Sequence, residues 1–155
     1  MNLEAWHAPP GEEIPNHPSF PVLLYRGVNA PDVRALFAEH GWGGSWQNGV
    51  FDFHHFHSTS HEVLGVLAGE ATIELGGPQG QAFEVSAGDV IVLPAGTGHR
   101  RATDRHGFQV CGAYPAGQED YDLLRAADDA ARERIRALPA PPDDPVGGEG
   151  VSTWR

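Results

Sequence analysis

An all-β domain with one short helix before it and one after it is what this 155-residue chain predicts, and three observations carry that reading. Residues 45–114 break into short β-rich runs separated by glycine-bearing turns at intervals of roughly ten residues, the pattern of a sandwich or barrel. The flanking segments 31–40 and 119–137 carry apolar residues at helical spacing instead. The length and the 40% hydrophobic content suit one domain with one sizeable core and some additional terminal material.

In chain order, residues 1–20 are rich in proline, lack periodicity and read as an irregular arm that lies along the surface or reaches a second copy. Residues 21–115 read as the β domain and 116–155 as a C-terminal helix followed by a Pro/Gly-rich tail. Val22-Leu23-Leu24-Tyr25 is a short strand. Residues 31–40 form a helix with proline in its first turn and Val33, Leu36 and Phe37 on one face, stopped by Gly41. The strands that follow are drawn at 45–57, 61–68, 71–76, 81–85, 90–93, 98–103 and 107–114, with a turn at Gly76-Gly77-Pro78-Gln79-Gly80. Over 119–137, Tyr121, Leu124, Ala131, Ile135 and Leu138 fall near helical spacing, with acids early and arginines late, as the helix dipole favours. Prolines and glycines make 139–150 a loop, and 151–155 reads as a short edge strand.

The formal charge of -11 comes from 21 acids against 10 basic residues, all arginine. Such a surface repels phosphate backbones and argues against a nucleic-acid partner; Arg100, Arg101 and Arg105 are the one basic cluster. The longest apolar runs, such as Val90-Ile91-Val92-Leu93, fall far short of the about 20 residues that span a bilayer, and the first twenty residues hold acids and prolines in place of a basic start and an apolar stretch. No membrane association and a cytoplasmic location are therefore the expectation. Cys111, the only cysteine, sits in an apolar strand-like run and reads as a buried structural thiol, compatible with a reducing compartment.

Chemistry concentrates in two stretches, Gly49-x5-His55-x-His57-x4-Glu62-x6-Gly69 and Gly88-x5-Pro94-x-Gly96-x2-His99. Residues two apart on a strand share a face, so His55 and His57 point one way and His54 the other. Glu62 lies on the next strand and can add a carboxylate across the ladder, while the Pro94-x-Gly96-x-Gly98 bend aims His99 inward from a later strand. Three imidazoles and a carboxylate make a mixed N/O site for a metal. His7, His17, His40 and His106, placed in arm, helix end or loop, read as surface histidines.

These two stretches resemble the paired motifs of the cupin superfamily, G-x5-H-x-H-x3–4-E-x6-G and G-x5-P-x-G-x2-H-x3-N. Every position of the first is met, and the second is met through His99, with Thr103 where the family usually has asparagine. The resemblance covers residues 49–103 and implies an antiparallel jelly-roll β-barrel, with the N- and C-terminal helices packed outside it. Its shorter spacing would select His61 as the fourth ligand; counting back from Gly69 by the family interval selects Glu62, and adjacent strand residues cannot both face inward without a bulge. Around residues 42–46, Ala113-Tyr114-Pro115 and Asp120-Tyr121-Asp122 the chain also looks similar to a group of short, uncharacterised bacterial single-domain cupins, a likeness that carries no substrate. It implies a homodimer, through the arm or an exposed sheet.

Three neutral imidazoles and one carboxylate around one divalent transition metal (Fe, Ni, Mn or Zn) leave a charge near +1 and, in octahedral geometry, two open positions. Strand phase places Phe51 and Phe53 inward with His55 and His57, as cavity wall or as plain core. Leu64 and Val66 share the face of Glu62, and Arg101 that of His99. An inward Arg101 would pair with a substrate carboxylate; its alternative is a solvent-facing strand end. His61, Tyr114 and Tyr121 are the polar candidates for an additional acid or base. The function expected is a metal-dependent enzyme on a small polar or anionic molecule, of oxygenase type first and isomerase or lyase type second. A metal-anchored binding or sensing module without catalysis is the competing reading, and a structural barrel with an incidental ion a third; fold alone does not choose among them.

Overall fold

Seven antiparallel strands, β1 (Asn2–Trp6), β2 (Val22–Arg26), β3 (Trp42–Asn48), β4 (Glu62–Leu75), β5 (Gln81–Ser86), β6 (Val90–Leu93) and β7 (His99–Pro115), form one sheet in the computed structural model, which describes residues 1–155. The strand order is β1-β2-β6-β4-β7-β3, with β5 paired to the far half of β4, and the sheet wraps into the expected jelly-roll barrel. Two helices, α1 (Val33–Glu39) and α2 (Asp129–Ala137), and a 3-10 turn at Val151–Trp154 complete the chain. No helix is long and apolar enough to cross a membrane.

β6 is buried at all four positions because both of its faces are covered. Ile91 and Leu93 point into the barrel with Leu24, Leu64 and Val110, whereas Val90 and Val92 face outward onto a second core with Leu23, Tyr25 and Phe37. Alternation along each strand thus feeds two cores, one inside the barrel and one beneath α1 and the C-terminal tail. Cys111 is buried in the outer core, as expected of a structural thiol.

Two expected pairs of strands are single strands. The runs at 61–68 and 71–76 form one 14-residue β4, and those at 98–103 and 107–114 one 17-residue β7, because the two pair with each other along nearly their full length. Each bends where backbone enters the left-handed region, Gly69 at φ 72° and the His106-Gly107 pair at 61° and 70°. At Gly69 a Cβ would also sit 2.6 Å from the Arg105 carbonyl oxygen and 2.6 Å from the Phe108 nitrogen, so conformation and space both demand glycine. Gly69→Ala is expected to destabilise the fold by on the order of 3 kcal/mol, combining left-handed strain and overlap; a denaturation midpoint equal to the parent's would show that β4 can bend otherwise.

Other boundaries moved for tertiary reasons. The strand expected over 45–57 ends at Asn48, and 49–57 runs irregularly, touching its neighbours through the bridges His55–His99 and Phe56–Leu124. The N-terminal arm is not irregular throughout, since residues 2–6 add β1 to the sheet against β2. α1 has the expected buried face and starts behind Asp32, whose carboxylate caps the Ala35 amide at 3.1 Å. α2 begins ten residues later than expected, behind the cap Asp128, because 119–128 spends its polar groups on the barrel instead of on helical bonds. The tail forms a 3-10 turn in place of an edge strand. Buried Asp144 gathers the amides of Val146, Gly148 and Val151 and the Tyr25 hydroxyl, which leaves no extended backbone to pair. His17, expected on the surface, is buried, with its ring stacked on Phe20 at 4.1 Å between centroids.

Candidate metal centre

β7 begins at His99, β4 begins at Glu62, and the irregular 49–57 segment crosses the barrel mouth between them, so the strand starts bring the four expected ligands together. His55 and His99 pair through their backbones, each amide bonded to the other's carbonyl at 3.3 and 2.9 Å. One nitrogen from each of His55, His57 and His99 lies within 4.8 Å of the other two, and all three rings are buried. Nε2 of His57 and of His99 lie 3.3 and 3.2 Å from Glu62 Oε1.

Orientation of the rings decides what these atoms can do. Nδ1 of His55 donates to the Phe53 carbonyl at 3.0 Å, Nδ1 of His99 to the Thr97 carbonyl at 3.0 Å, and Nδ1 of His57 to the Asp122 carbonyl. With each Nδ1 hydrogen committed outward, the neutral rings turn Nε2 lone pairs inward. Glu62 is held the same way: the Tyr114 hydroxyl donates to Oε2 at 2.7 Å, while buried Oε1 accepts no hydrogen bond. Tyr114 receives in turn the Trp46 indole N–H at 2.7 Å. Three imidazole lone pairs and a carboxylate oxygen, all buried, therefore converge without a hydrogen-bond donor among them. Such a convergence fits a divalent cation, and the donor set matches the N/O preference of the metals expected.

Electrostatics agrees with that geometry. Burial and then the neighbouring His99 push the His55 pKa down to about 3. Burial also opposes charge on His57, but the Glu62 carboxylate outweighs it and raises His57 above the ordinary imidazole value. Burial alone would raise Glu62; the charge on His57 instead holds it well below the usual carboxylate range.

His61, the rival to Glu62, faces the other way. Its Nδ1 accepts the Ala95 amide at 2.9 Å and its Nε2 donates to the Pro139 carbonyl at 2.9 Å, so it ties the start of β4 to two loops and touches no part of the site. As a candidate acid or base it is corrected to a structural residue, since neighbouring strand residues point to opposite faces. Tyr114 does reach the site, but its hydroxyl is committed to Glu62, and burial raises its pKa far above the ordinary phenol value. Tyr121 stacks on Tyr114 at 4.3 Å and meets the His57 ring edge-on at 5.1 Å, as part of the wall.

The site opens into a cavity of about 670 Å³, within the range of small-molecule pockets. Val50, Leu64, Phe51 and Leu123 line it with Tyr121, and Arg101 is the only arginine in its wall. Arg101 Nε donates to the Val50 carbonyl at 3.2 Å, and a terminal nitrogen lies 3.6 Å from Asp104. Phe51 is more than half exposed at the rim, and Phe53 does not line the cavity, but stacks on Phe51 with the Arg125 guanidinium 4.4 Å above its ring. The inward phase expected of these residues fails for Phe53 and brings Phe51 only to the rim, because 49–57 is not a regular strand.

Two contributors were not among the expected residues. Asn16, at φ 59°, donates to the Gly76 carbonyl at 3.0 Å and accepts the Gly98 amide at 3.0 Å, while its own amide bonds Gly96, so the N-terminal arm sets the bend that aims His99. Asp122 grips the turn after His57 with its side chain. Asn16 inside a proline-rich arm gave a turn signal at most, and Asp122 sat in a stretch whose spacing read as helix.

Comparison with known proteins bears on this arrangement. The cupin-domain family profile matches residues 46–107. Over 153 residues the chain is 37% identical to "Uncharacterized protein YjlB" of Bacillus subtilis (strain 168), covering 94% of this chain and 91% of that protein. The chain belongs to the cupin family. A second relative, named acireductone dioxygenase, from Tuber melanosporum (strain Mel28), is 30% identical over 103 residues, which is 56% of this chain and 60% of that protein. Among solved structures, a DUF861 family protein from Thermotoga maritima aligns with a TM-score of 0.41 and 19% identity, over 61% of this chain and 98% of that one. The matched profile spans all four residues of the site.

Proposed function

We propose that this cupin is a metal-dependent enzyme acting on a small polar or anionic molecule, with dioxygenase-type chemistry favoured. The observation that carries the reading is the set of three outward-tethered Nδ1 atoms, which turn three Nε2 lone pairs inward, those of His57 and His99 beside the unpartnered Oε1 of Glu62. His55, His57, His99 and Glu62 would hold the ion, and a divalent transition metal there would supply Lewis acidity and, if redox-active, a route to dioxygen activation.

The chain's own residues account for the rest. Tyr114 keeps its proton and fixes Glu62 through Oε2, so that one carboxylate oxygen faces the site. Val50, Leu64, Phe51 and Leu123 supply an apolar wall that limits water. Arg101 is the cation available to a substrate carboxylate or enolate at the mouth, because Asp104 satisfies it at 3.6 Å only weakly and in partial solvent. The name of the Tuber relative supports the oxygenase choice and adds acireductones to the molecules worth testing.

The test is metal analysis of protein purified without added metal, followed by oxygen consumption against small carboxylic acids, phenols and an acireductone, with iron, nickel, manganese or zinc restored. Near-stoichiometric metal and metal-dependent oxygen uptake with one of these classes are expected. Absence of metal, with no gain from any of the four ions, would sink the metalloenzyme reading; bound metal with tight binding but no turnover would move the protein to the metal-anchored binding class.

A further inference from the structure

The three imidazoles are not oriented alike. His55 and His99 each donate to the carbonyl two residues earlier in their own chain segment, so local backbone holds them. His57 donates to the carbonyl of Asp122, 65 residues away. That carbonyl belongs to the 116–128 segment, which lies beyond the matched cupin profile and carries Tyr121 and Leu123 into the cavity wall.

Asp122 also holds the chain that carries His57. Its Oδ1 accepts the amides of Ser58 at 2.6 Å and Thr59 at 3.3 Å, and its Oδ2 accepts the Ser58 hydroxyl, while the Thr59 hydroxyl receives the Asp122 amide at 3.0 Å. Arg134 of α2 closes the cluster, donating to Ser58 Oγ at 3.0 Å and standing 3.9 Å from Asp122 Oδ2. One residue therefore fixes the ring by its carbonyl and the backbone by its carboxylate. Next to it, Tyr121 packs on His57 and on Tyr114, the residue that holds Glu62. Elsewhere the segment is largely exposed and is anchored by the mutual backbone bonds of Phe56 and Leu124, by Gln118, which accepts the Ser60 hydroxyl at 2.5 Å and the His61 amide at 2.9 Å, by the Ala116 amide on Gly41 and by the Ala127 amide on Glu13. Asp122 makes more of these polar contacts than any other residue of the segment.

We propose that Asp122 is the positioning residue of His57, and that docking of the 116–128 segment on the barrel sets how tightly the site holds its metal. This rests on the metal-binding reading above. Coupling of this kind is reciprocal: if the docked segment favours metal, bound metal favours the docked segment. Removal of the carboxylate frees the Ser58-Thr59 turn and lets the Asp122 carbonyl leave His57 Nδ1, which costs ring orientation without touching a ligand.

Metal-stripped parent, Asp122→Ala and Asp122→Asn are titrated with Co(II) by calorimetry and visible absorption. Asp122→Ala is expected to weaken Co(II) binding about 10- to 100-fold and to alter the d–d spectrum, the usual scale for loss of a group that orients a metal-binding histidine. Asp122→Asn, whose amide oxygen can accept the same two backbone amides, is expected to restore affinity to within about threefold. In the parent, Co(II) loading is expected to slow hydrogen exchange at the Ser58, Thr59, Asp122 and Leu124 amides. Parent affinity and spectrum in Asp122→Ala would overturn the proposal, and so would exchange at those amides that ignores Co(II), a measurement that needs no variant to fold. A parent that binds no Co(II) would overturn the metal reading itself and this inference with it.

Discussion

Glu62→Gln is expected to lower metal affinity at least about a hundredfold, some 3 kcal/mol, while leaving the metal-free protein as stable as the parent or more so. The two effects separate because a neutral amide cannot replace the carboxylate toward a cation but can keep its contacts in the metal-free pocket. In the metal-free protein Oε1 is buried without a hydrogen bond, and a buried charge of that kind is costly unless paired. A glutamine keeps an oxygen for the Tyr114 hydroxyl and presents an N–H to the Nε2 lone pairs of His57 and His99. His57→Ala makes the contrasting case, with affinity falling by a similar factor but metal-free stability falling too. Its loss leaves the Asp122 carbonyl without its donor and opens a void beside Glu62, whose Oε1 lies 3.3 Å from the His57 ring. Calorimetric metal titration beside denaturation with chelator present reads both quantities. Two variants that bind metal as the parent does would show the ligand assignment to be wrong.

Metal-free protein is expected to lose several kcal/mol of stability between about pH 6.5 and pH 4, at roughly 1.4 kcal/mol per unit of pKa displacement. His17 and His61 both have folded-state pKa values lowered to about 4, each mainly by burial. A histidine with a depressed folded pKa stays neutral in the fold while its unfolded counterpart takes up a proton, so stability is full above the unfolded value and drains as pH falls toward the folded one. His55, lowered to about 3, extends the loss further into acid. His57 has the opposite sign. Raised by Glu62, it contributes stability that is complete below the unfolded value and is lost as pH climbs through its folded one, which places the optimum on the neutral side. Denaturant midpoints measured with chelator from pH 8 to pH 4 should fall on the acid side; a flat profile would mean that these rings charge freely in the folded protein.

Much of the metal centre was readable in one dimension because strand periodicity is local. The two-residue spacing of His55 and His57, and the count to Gly69 that favours Glu62 over His61, needed only local residue intervals. The same reasoning failed at Phe53 and reached only a rim position for Phe51, because the stretch ahead of the His55 and Phe56 bridges pairs in no ladder and has no alternation to obey. It failed again over 119–128, whose apolar spacing imitates a helix while the segment satisfies its polar groups on the 56–59 turn and Glu13. Propensity and period decide between local conformations only when no remote partner offers more, and here Asp122 and Leu124 had one.

What the chain's order of residues set out by itself was the chemistry of the candidate centre: the donor types and the spacings at which they recur. Tertiary structure decided the state of those donors. Which nitrogen of each ring carries its hydrogen, which oxygen of Glu62 is left free, and that a segment 65 residues downstream holds His57 are set by contacts between parts of the chain far apart in sequence. Hydrogen bonds act over about 3 Å, so their partners are defined only once the fold has brought them together.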